Sequence, residues 1–439
     1  MSKTFCPIPW IFQAVRNNGD IRVCCQANVT PNQGVVRHPD GTSYNAGRDS
    51  FDEAKNAELM KSIRKNMLDG VWSEECGRCQ QEEQAGLESR RMYELRAWDY
   101  TLADAKKDTQ PDGTITVRSS YYDLRFGNLC NLACRMCGPT DSHTWYEQWA
   151  EYHGSTKYQD THGEVELKRN EKGRLYTTDY DWHNSESFWD QIEMNIPYIQ
   201  HVYMAGGEPM MIERHYEFLK KCIGSGHAGN ITIEYNTNMT SLPPRVLEMW
   251  KEFKQIRVGC SIDGMGEVLE YQRWPVKWRQ AINNLNKVDQ LPNNVVAWVA
   301  YTVTAYNIFH LPEFMLWKLK ESNWKKINSS PQKPIITHHV AHGPKRANIR
   351  LLTPELKLKV HNHYDYYKFK VASDPEINEK IKNKFNKILD SVEKYMMADD
   401  YSDKLEEFIK FTTYLDKARK QNILDVVPQY EELFRTTGT

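Results

Sequence analysis

The chain has 439 residues with 57 Lys and Arg against 58 Asp and Glu, and the resulting formal charge of −1 gives no electrostatic case for a nucleic-acid or membrane-surface partner. Hydrophobic residues make up 40% of the chain, enough for a sizeable core, while a mean hydropathy of −0.71 and the lack of any long apolar run argue against a helical membrane protein. The length allows about three domains, and the opening residues Met1 to Trp10 lack a secretory apolar core, so the expected location is cytoplasmic.

Eight of the ten cysteines sit in clustered spacings, which in a reducing compartment points to metal ligation rather than disulfides. Cys222 and Cys260 lie in helix-like and strand-like apolar segments and read as core residues. Near the start, the apolar runs 11–15 and 21–25 flank Asn17-Asn18-Gly19-Asp20, a β-hairpin signal. Cys6 precedes the hairpin and Cys24 ends it. A helix is expected over 50–68, leading to Cys76-Gly77-Arg78-Cys79, and residues 82–96 read as a charged helical connector in which Arg90 and Arg91 are minor substrate-contact candidates. Cys6, Cys24, Cys76 and Cys79 form a set of four soft ligands that fits a zinc ribbon-like site or an iron-sulfur cluster. Side chains alternate along a strand, so Cys24 and Cys25 cannot both face such a site.

From residue 118 onward strands alternate with amphipathic helices, the pattern of parallel βα units. Strands are expected near 121–126, 199–205, 230–236, 256–262, 296–304 and 335–340, with helices near 140–151, 212–224, 243–253, 276–289 and 311–322. Cys130-x3-Cys134-x2-Cys137 follows the first strand, and three thiolates at this spacing hold three irons of a [4Fe-4S] cube with the fourth iron open. A structural zinc site asks for a fourth ligand close by, and none is there. Gly206-Gly207-Glu208-Pro209 ends the second strand: glycines permit close backbone approach, and a carboxylate accepts hydrogen bonds from an ammonium group. Asn236-Thr237-Asn238 ends the third strand. Ser261-Ile262-Asp263-Gly264 ends the fourth, where alternation puts Ser261 and Asp263 on one face. Arg273 has the planar fork suited to a carboxylate. Asn307 follows the fifth strand. His338, His339 and His342 close the sixth, with His342 a pocket-lining candidate and a metal role disfavoured.

Residues 153–186 are long for a connection and rich in Tyr, Asp, Gly and Thr, as lids and binding loops often are. Tyr176, Tyr180 and Trp182 are candidate substrate contacts there, with surface packing the favoured reading. Beyond 350 the chain turns helical, with Ile377, Ile381, Phe385, Ile388 and Val392 on one apolar face and a second helix over 402–419.

The cysteine triplet with Met136 before its last member, the Gly206–Pro209 turn and Ser261–Gly264, in that order, resemble the radical S-adenosylmethionine (SAM) enzymes. The resemblance implies an α/β fold with a partial (β/α)6 TIM-like barrel over 118–345, interrupted by the insertion 153–186. A helical extension follows over 350–439. The spacing C-x12-G-x4-C from Cys6 to Cys24 resembles the opening of SPASM and twitch domains. It implies an auxiliary [4Fe-4S] cluster domain over 1–110, selects Cys24 over Cys25, and favours iron-sulfur over zinc. Ala85 stands where a longer SPASM pattern has further cysteines, so the match is to the one-cluster twitch type, placed before the barrel instead of after it. The family further implies that Gly206, Gly207, Glu208 and Pro209 bind the SAM amino group. Asn238, Ser261, Asp263 and Asn307 contact SAM, and Arg273 pairs with its carboxylate.

The implied activity is reductive cleavage of SAM at the cluster to a 5′-deoxyadenosyl radical, which abstracts a hydrogen atom from a substrate carbon in an oxidation, epimerisation or cyclisation. An external flavodoxin- or ferredoxin-like reductant supplies the electron. The substrate is a small molecule, carbohydrate or peptide; no leader-binding domain is evident, which disfavours a leader-guided peptide modifier. The rival readings are a non-catalytic iron-sulfur or zinc scaffold, a peptide-modifying radical SAM enzyme, and a SAM methyltransferase, the last without sequence support of its own.

Overall fold

The computed structural model describes residues 3–27, 34–84, 88–327 and 333–435. The chain is mixed α/β, with eight strands that pair largely in parallel within two compact units. These are β1 (Phe12–Val15), β2 (Ile21–Arg22), β3 (Tyr121–Arg125), β4 (His201–Ala205), β5 (Thr232–Thr237), β6 (Gln255–Ser261), β7 (Val295–Val303) and β8 (Thr337–Val340). Strands β3 to β8 fall where the periodicity places them. Two compact units divide the chain: residues 1–129, 156–235 and 244–256 form one, and residues 130–155, 236–243 and 257–439 the other.

In the first unit the strand order is β2-β1-β3-β4-β5. The hairpin β1–β2 is antiparallel, and Gly19 takes φ +87° in its turn. β1 also pairs in parallel with β3, Phe12 opposite Tyr121 and Val15 opposite Leu124, so the N-terminal segment belongs to the same sheet as the first expected barrel strand. Along β4 and β5, Val202, Met204, Ile233 and Tyr235 are buried, while His201, Tyr203, Thr232 and Glu234 alternate with them and are only half-buried.

The helix expected over 50–68 is two helices, Phe51–Lys55 and Glu58–Leu68. Asn56 separates them. Its Oδ1 accepts from the Ile115 N–H at 3.0 Å and from Arg64 at 3.2 Å, and its Nδ2 donates to the Ile115 carbonyl at 2.9 Å. An Asn side chain that competes in this way for backbone groups interrupts a helix.

The insertion is ordered by two short hairpins, Lys157–Asp160 with Gly163–Glu166 and Lys168–Arg169 with Leu175–Tyr176. Trp182 is buried against Phe126 and Phe188, at centroid distances of 5.9 and 4.9 Å, and its Nε1 donates to the Asn17 carbonyl at 2.9 Å. Tyr180 is also buried, and its hydroxyl donates to Asp160 at 2.9 Å. Both residues are therefore core of the first unit, whereas Tyr176 is exposed.

The second unit has strand order β6-β7-β8, with β7 and β8 parallel. Its helices include Gly266–Gln272, a short element not expected from periodicity, then Trp278–Asp289 and Leu311–Lys320. The tail adds Pro354–Ala372, Glu379–Met397 and Leu405–Arg419. Phe385, Ile388 and Val392 are buried on the expected face. Among the described residues no helix is long and apolar enough to cross a membrane.

Trp182→Ala is expected to lower the unfolding free energy by about 3–5 kcal/mol. Tyr176→Ala should stay within about 0.5 kcal/mol. Denaturant titrations of the two variants test this; equal effects would contradict the core placement of Trp182.

Candidate active site

The cysteine loop belongs to the second unit, and its backbone is held by groups outside it. The Cys130 N–H donates to His143 Nδ1 at 3.2 Å, and the Cys130 carbonyl accepts from Thr144 Oγ1 at 2.5 Å. The Leu132 carbonyl accepts from Ser142 Oγ at 2.6 Å, and the Cys134 carbonyl from Trp145 Nε1 at 3.2 Å. The Ala133 N–H donates to the Trp274 carbonyl at 2.7 Å, and the Arg135 N–H to that of Gln272 at 2.8 Å. Cys130 and Cys134 are buried; Met136 and Cys137 are half-buried.

Two side chains bring N–H donors to the sulfurs. Asn238 Nδ2 lies 3.8 Å from Cys130 Sγ, and Arg273 Nη1 lies 3.9 Å from Cys134 Sγ. Asn238 is fixed by Asn131 Oδ1 at 3.0 Å and by Thr240, whose N–H and hydroxyl donate to Asn238 Oδ1 at 2.9 and 2.6 Å. Arg273 Nε donates to Asp263 Oδ2 at 2.6 Å, and the other Asp263 oxygen accepts from the Thr302 N–H at 2.7 Å. The Cys137 thiol donates to Cys134, which holds the Cys134 thiol below its ordinary range with help from the Arg273 charge. The same hydrogen bond, with burial, pushes Cys137 up.

Asp263 is fully buried, and Ser261, at the end of β6, is half-buried. Asn307 Nδ2 donates to the carbonyls of Asp263 and Thr302, each at 2.9 Å, while its Oδ1 accepts from the Thr304 N–H at 2.8 Å. Its amide thus ties the loop after β7 to the Asp263 backbone. His338 meets Ser391 at 2.9 Å and His342 meets the Tyr395 hydroxyl at 3.2 Å, both on the helix Glu379–Met397.

Gly206–Pro209 lies in the first unit, directly after β4. The Gly207 N–H donates to the Gly127 carbonyl at 3.0 Å and the Glu208 N–H to that of Leu129 at 2.7 Å. Gly206 has φ +113°, and a Cβ on Gly207 would stand 2.2 Å from the Leu129 oxygen, so only glycine permits this approach. Leu129 is the residue before Cys130, so the glycine turn fixes the chain at the point where the cysteine loop starts. Glu208 is buried, and its side chain accepts from the Met210 N–H at 3.2 Å.

The N-terminal cysteines also belong to the first unit. Cys6, Cys24, Cys25, Cys76 and Cys79 line one mostly apolar cavity, together with Trp72. Burial raises the thiols of Cys6 and Cys24, and it pushes Cys76 up to about 12; neighbouring cysteines raise all three further. Backbone N–H groups oppose this: that of Ile8 at Cys6, that of Gln26 at Cys24, and those of Arg91 and Arg90 at Cys79. Cys24 interacts with Cys25, Cys76 and Cys79, whereas Cys25 interacts with Arg90, Asp123, Arg125 and Glu94. The two adjacent thiols thus have different surroundings, with Cys24 on the side of the other cysteines. Arg90 and Arg91, minor substrate candidates from the sequence, are ion-paired to Glu94 and Glu83.

Both cysteine sets suit iron-sulfur ligation by their donor chemistry, because thiolates that accept N–H groups while excluded from water favour a metal counter-charge. Among the described residues no three His, Cys, Asp or Glu side chains group tightly enough for a single ion. A cube asks for one cysteine on each of several irons. Residues the motifs did not reveal include Asn131 and Thr240, which orient Asn238, and a polar row across three parallel strands, Asp123, Tyr203 and Glu234. The row had a signal: polar side chains recurring with period two inside otherwise apolar strands.

Residues 124–306, a segment that includes all three motifs, match the family model described as the Radical SAM superfamily. The comparison with curated proteins returns no match. Similar solved structures include native anSMEcpe with bound AdoMet, 16% identical, covering 56% of this chain and 60% of its own, with a TM-score of 0.33. Streptococcus suis SuiB bound to S-adenosylmethionine is 12% identical, covering 72% of this chain and 62% of its own, with a TM-score of 0.32. TYW1 with a lysine-pyruvate adduct bound is 12% identical, covering 44% and 60%, with a TM-score of 0.24. The chain spans 60–62% of the length of these structures.

Asp263→Ala leaves the buried Arg273 charge without its partner and is expected to cost about 3–5 kcal/mol. Ser261→Ala should cost less than about 0.5 kcal/mol. Gly207→Ala, which forces the turn off Leu129, should cost about 1–3 kcal/mol. Unfolding of the iron-free protein measures all three, and a neutral Gly207→Ala would contradict the close approach.

Proposed function

We propose that this protein is a radical SAM enzyme whose SAM-binding [4Fe-4S] cluster is held by Cys130, Cys134 and Cys137. The observation that carries this reading is the pair of N–H donors, from Asn238 and Arg273, at the sulfurs of Cys130 and Cys134. Bound there, the cluster and SAM supply one-electron reductive cleavage to a 5′-deoxyadenosyl radical that takes a hydrogen atom from a substrate carbon. Arg273, aligned by Asp263, receives the methionine carboxylate of SAM in a charge-assisted contact. Gly206, Gly207, Glu208 and Pro209 receive its amino group, with Glu208 the accepting carboxylate. Asn238 holds one ligand sulfur, Ser261 faces the nucleoside part, Met136 packs beside the third cysteine, and Asn307 supports Asp263.

The auxiliary [4Fe-4S] cluster belongs on Cys6, Cys24, Cys76 and Cys79, with Cys25 outside the ligand set. An electron returned from a substrate radical to that second centre would make the net reaction an oxidation or a ring closure; return of a hydrogen atom from 5′-deoxyadenosine to the opposite face of the substrate carbon would instead make it an epimerisation. The polar row Asp123, Tyr203 and Glu234, in which Asp123 is buried beside Arg125 while Tyr203 and Glu234 are half-buried, supports a polar substrate, small or carbohydrate-like. A flavodoxin- or ferredoxin-like donor supplies the reducing electron.

Anaerobic reconstitution tests the reading. The wild-type protein should hold about eight irons and, with SAM and dithionite, form 5′-deoxyadenosine. A Cys130/Cys134/Cys137→Ala triple variant should hold about four irons and form none. Full iron with no cleavage under any reductant would favour a non-catalytic scaffold. Four irons in the wild type with zinc in the N-terminal site would overturn the auxiliary cluster alone.

A further inference from the structure

At the end of the helix Leu405–Arg419, in the second unit, the final residue stands behind the cysteine loop. Arg419 is 7% exposed, and its guanidinium carbon lies 4.8 Å from the ring centroid of Trp145 and 4.8 Å from that of Trp274. Both tryptophans touch the loop: Trp145 Nε1 donates to the Cys134 carbonyl, and the Trp274 carbonyl accepts from the Ala133 N–H. Ala133, Trp145, Phe411 and Leu415 form one buried cluster, with Cys137 and Trp274 packed against it.

A second arginine shows what is unusual about Arg419. Arg135, fully buried within the loop, is paired with Asp416 at 2.6 Å and lies over the Tyr271 ring at 3.6 Å. Its charge has a carboxylate. Arg419 instead donates from Nε and Nη2 to the neutral amide of Gln148, at 3.3 and 2.8 Å, and its Nη1 has no hydrogen-bond partner among the described residues. A buried cation without a carboxylate is costly unless an anion stands nearby. Burial lowers Arg419 only to about 9, so the guanidinium stays charged at neutral pH. The residue lies beyond the segment 124–306 that the family model covers.

We propose that Arg419 sets the reduction potential of the cluster on Cys130, Cys134 and Cys137: held between Trp145 and Trp274, its uncompensated charge stabilises the reduced state. This rests on the cluster assignment made above. The state it favours carries one more electron, supplied by the external one-electron reductant, and therefore one more negative charge on the ligand set. Arg419 is a positioning and charge-setting residue, held apart from substrate by the loop itself.

The test uses the full-length protein after anaerobic reconstitution, with Arg419→Gln and Arg419→Lys compared with wild type. Iron and sulfide are counted, and the midpoint potential is read by redox titration of the electron paramagnetic resonance signal that changes on adding SAM. Arg419→Gln should keep its iron and shift about tenfold toward the oxidised form at a fixed potential, a fall of about 59 mV for one electron. Arg419→Lys, which keeps the charge, should stay close to wild type. Full iron with an unchanged potential in Arg419→Gln would overturn the proposal, as would equal loss of iron in both variants, which would make the residue a structural support only. A wild-type protein with no SAM-responsive signal would instead overturn the cluster assignment itself.

Discussion

Three thiols separated by only three and two residues cannot be held in place by their own segment. The loop from Cys130 to Cys137 has one internal backbone hydrogen bond among those described, from the Cys137 N–H to the Cys134 carbonyl. Its other partners come from Ser142 to Trp145, from Gln272 and Trp274, and from Asn238 and Arg273. The contacts from Ser142 to Trp145 and from Gln272 and Trp274 satisfy polar backbone groups of the loop, while Asn238 and Arg273 bring N–H donors to the sulfurs themselves. The second unit can be understood as the set of elements that supply these partners. The short helix Gly266–Gln272 is one such element: it ends just where its last carbonyl receives the Arg135 N–H.

The charges around the loop are graded in the same way. Asp263 neutralises Arg273 and aims it, Asp416 neutralises Arg135, and Gln148 holds Arg419 without neutralising it. The cluster and zwitterionic cosubstrate proposed for this site would call for positive charge that is placed but not cancelled. Glycine does the corresponding work in the first unit. At Gly206 and Gly207 the requirement is space, and the carbonyls of Gly127 and Leu129 occupy the room a side chain would need.

Many of the parallel strands were legible because their signals are local. Alternation in His201–Ala205 and Thr232–Thr237, and breakers at Gly206 and Asn238, mark strand ends without any knowledge of partners. The cysteine spacings were legible for the same reason. What escaped was long-range or short in length. The pairing of β1 with β3 joins segments about a hundred residues apart, and no hairpin signal carries it. Arg135 and Asp416 are 281 residues apart in sequence. The seven-residue helix Gly266–Gln272 is too brief to show a period, and the break at Asn56 depends on a partner strand segment near Ile115. Trp182 reads as a surface-packing residue because its sequence neighbours are polar, yet its indole completes a core with Phe126 and Phe188.

The central claim is that one iron of the cluster on Cys130, Cys134 and Cys137 is left open for the amino and carboxylate groups of SAM. Electron-nuclear double resonance on the reduced protein, with SAM labelled with 15N in its amino group and 17O in its carboxylate, tests this most directly. The account predicts hyperfine coupling from both labels to the reduced cluster, lost in the triple cysteine variant. Saturating SAM with no coupling from either label would contradict it.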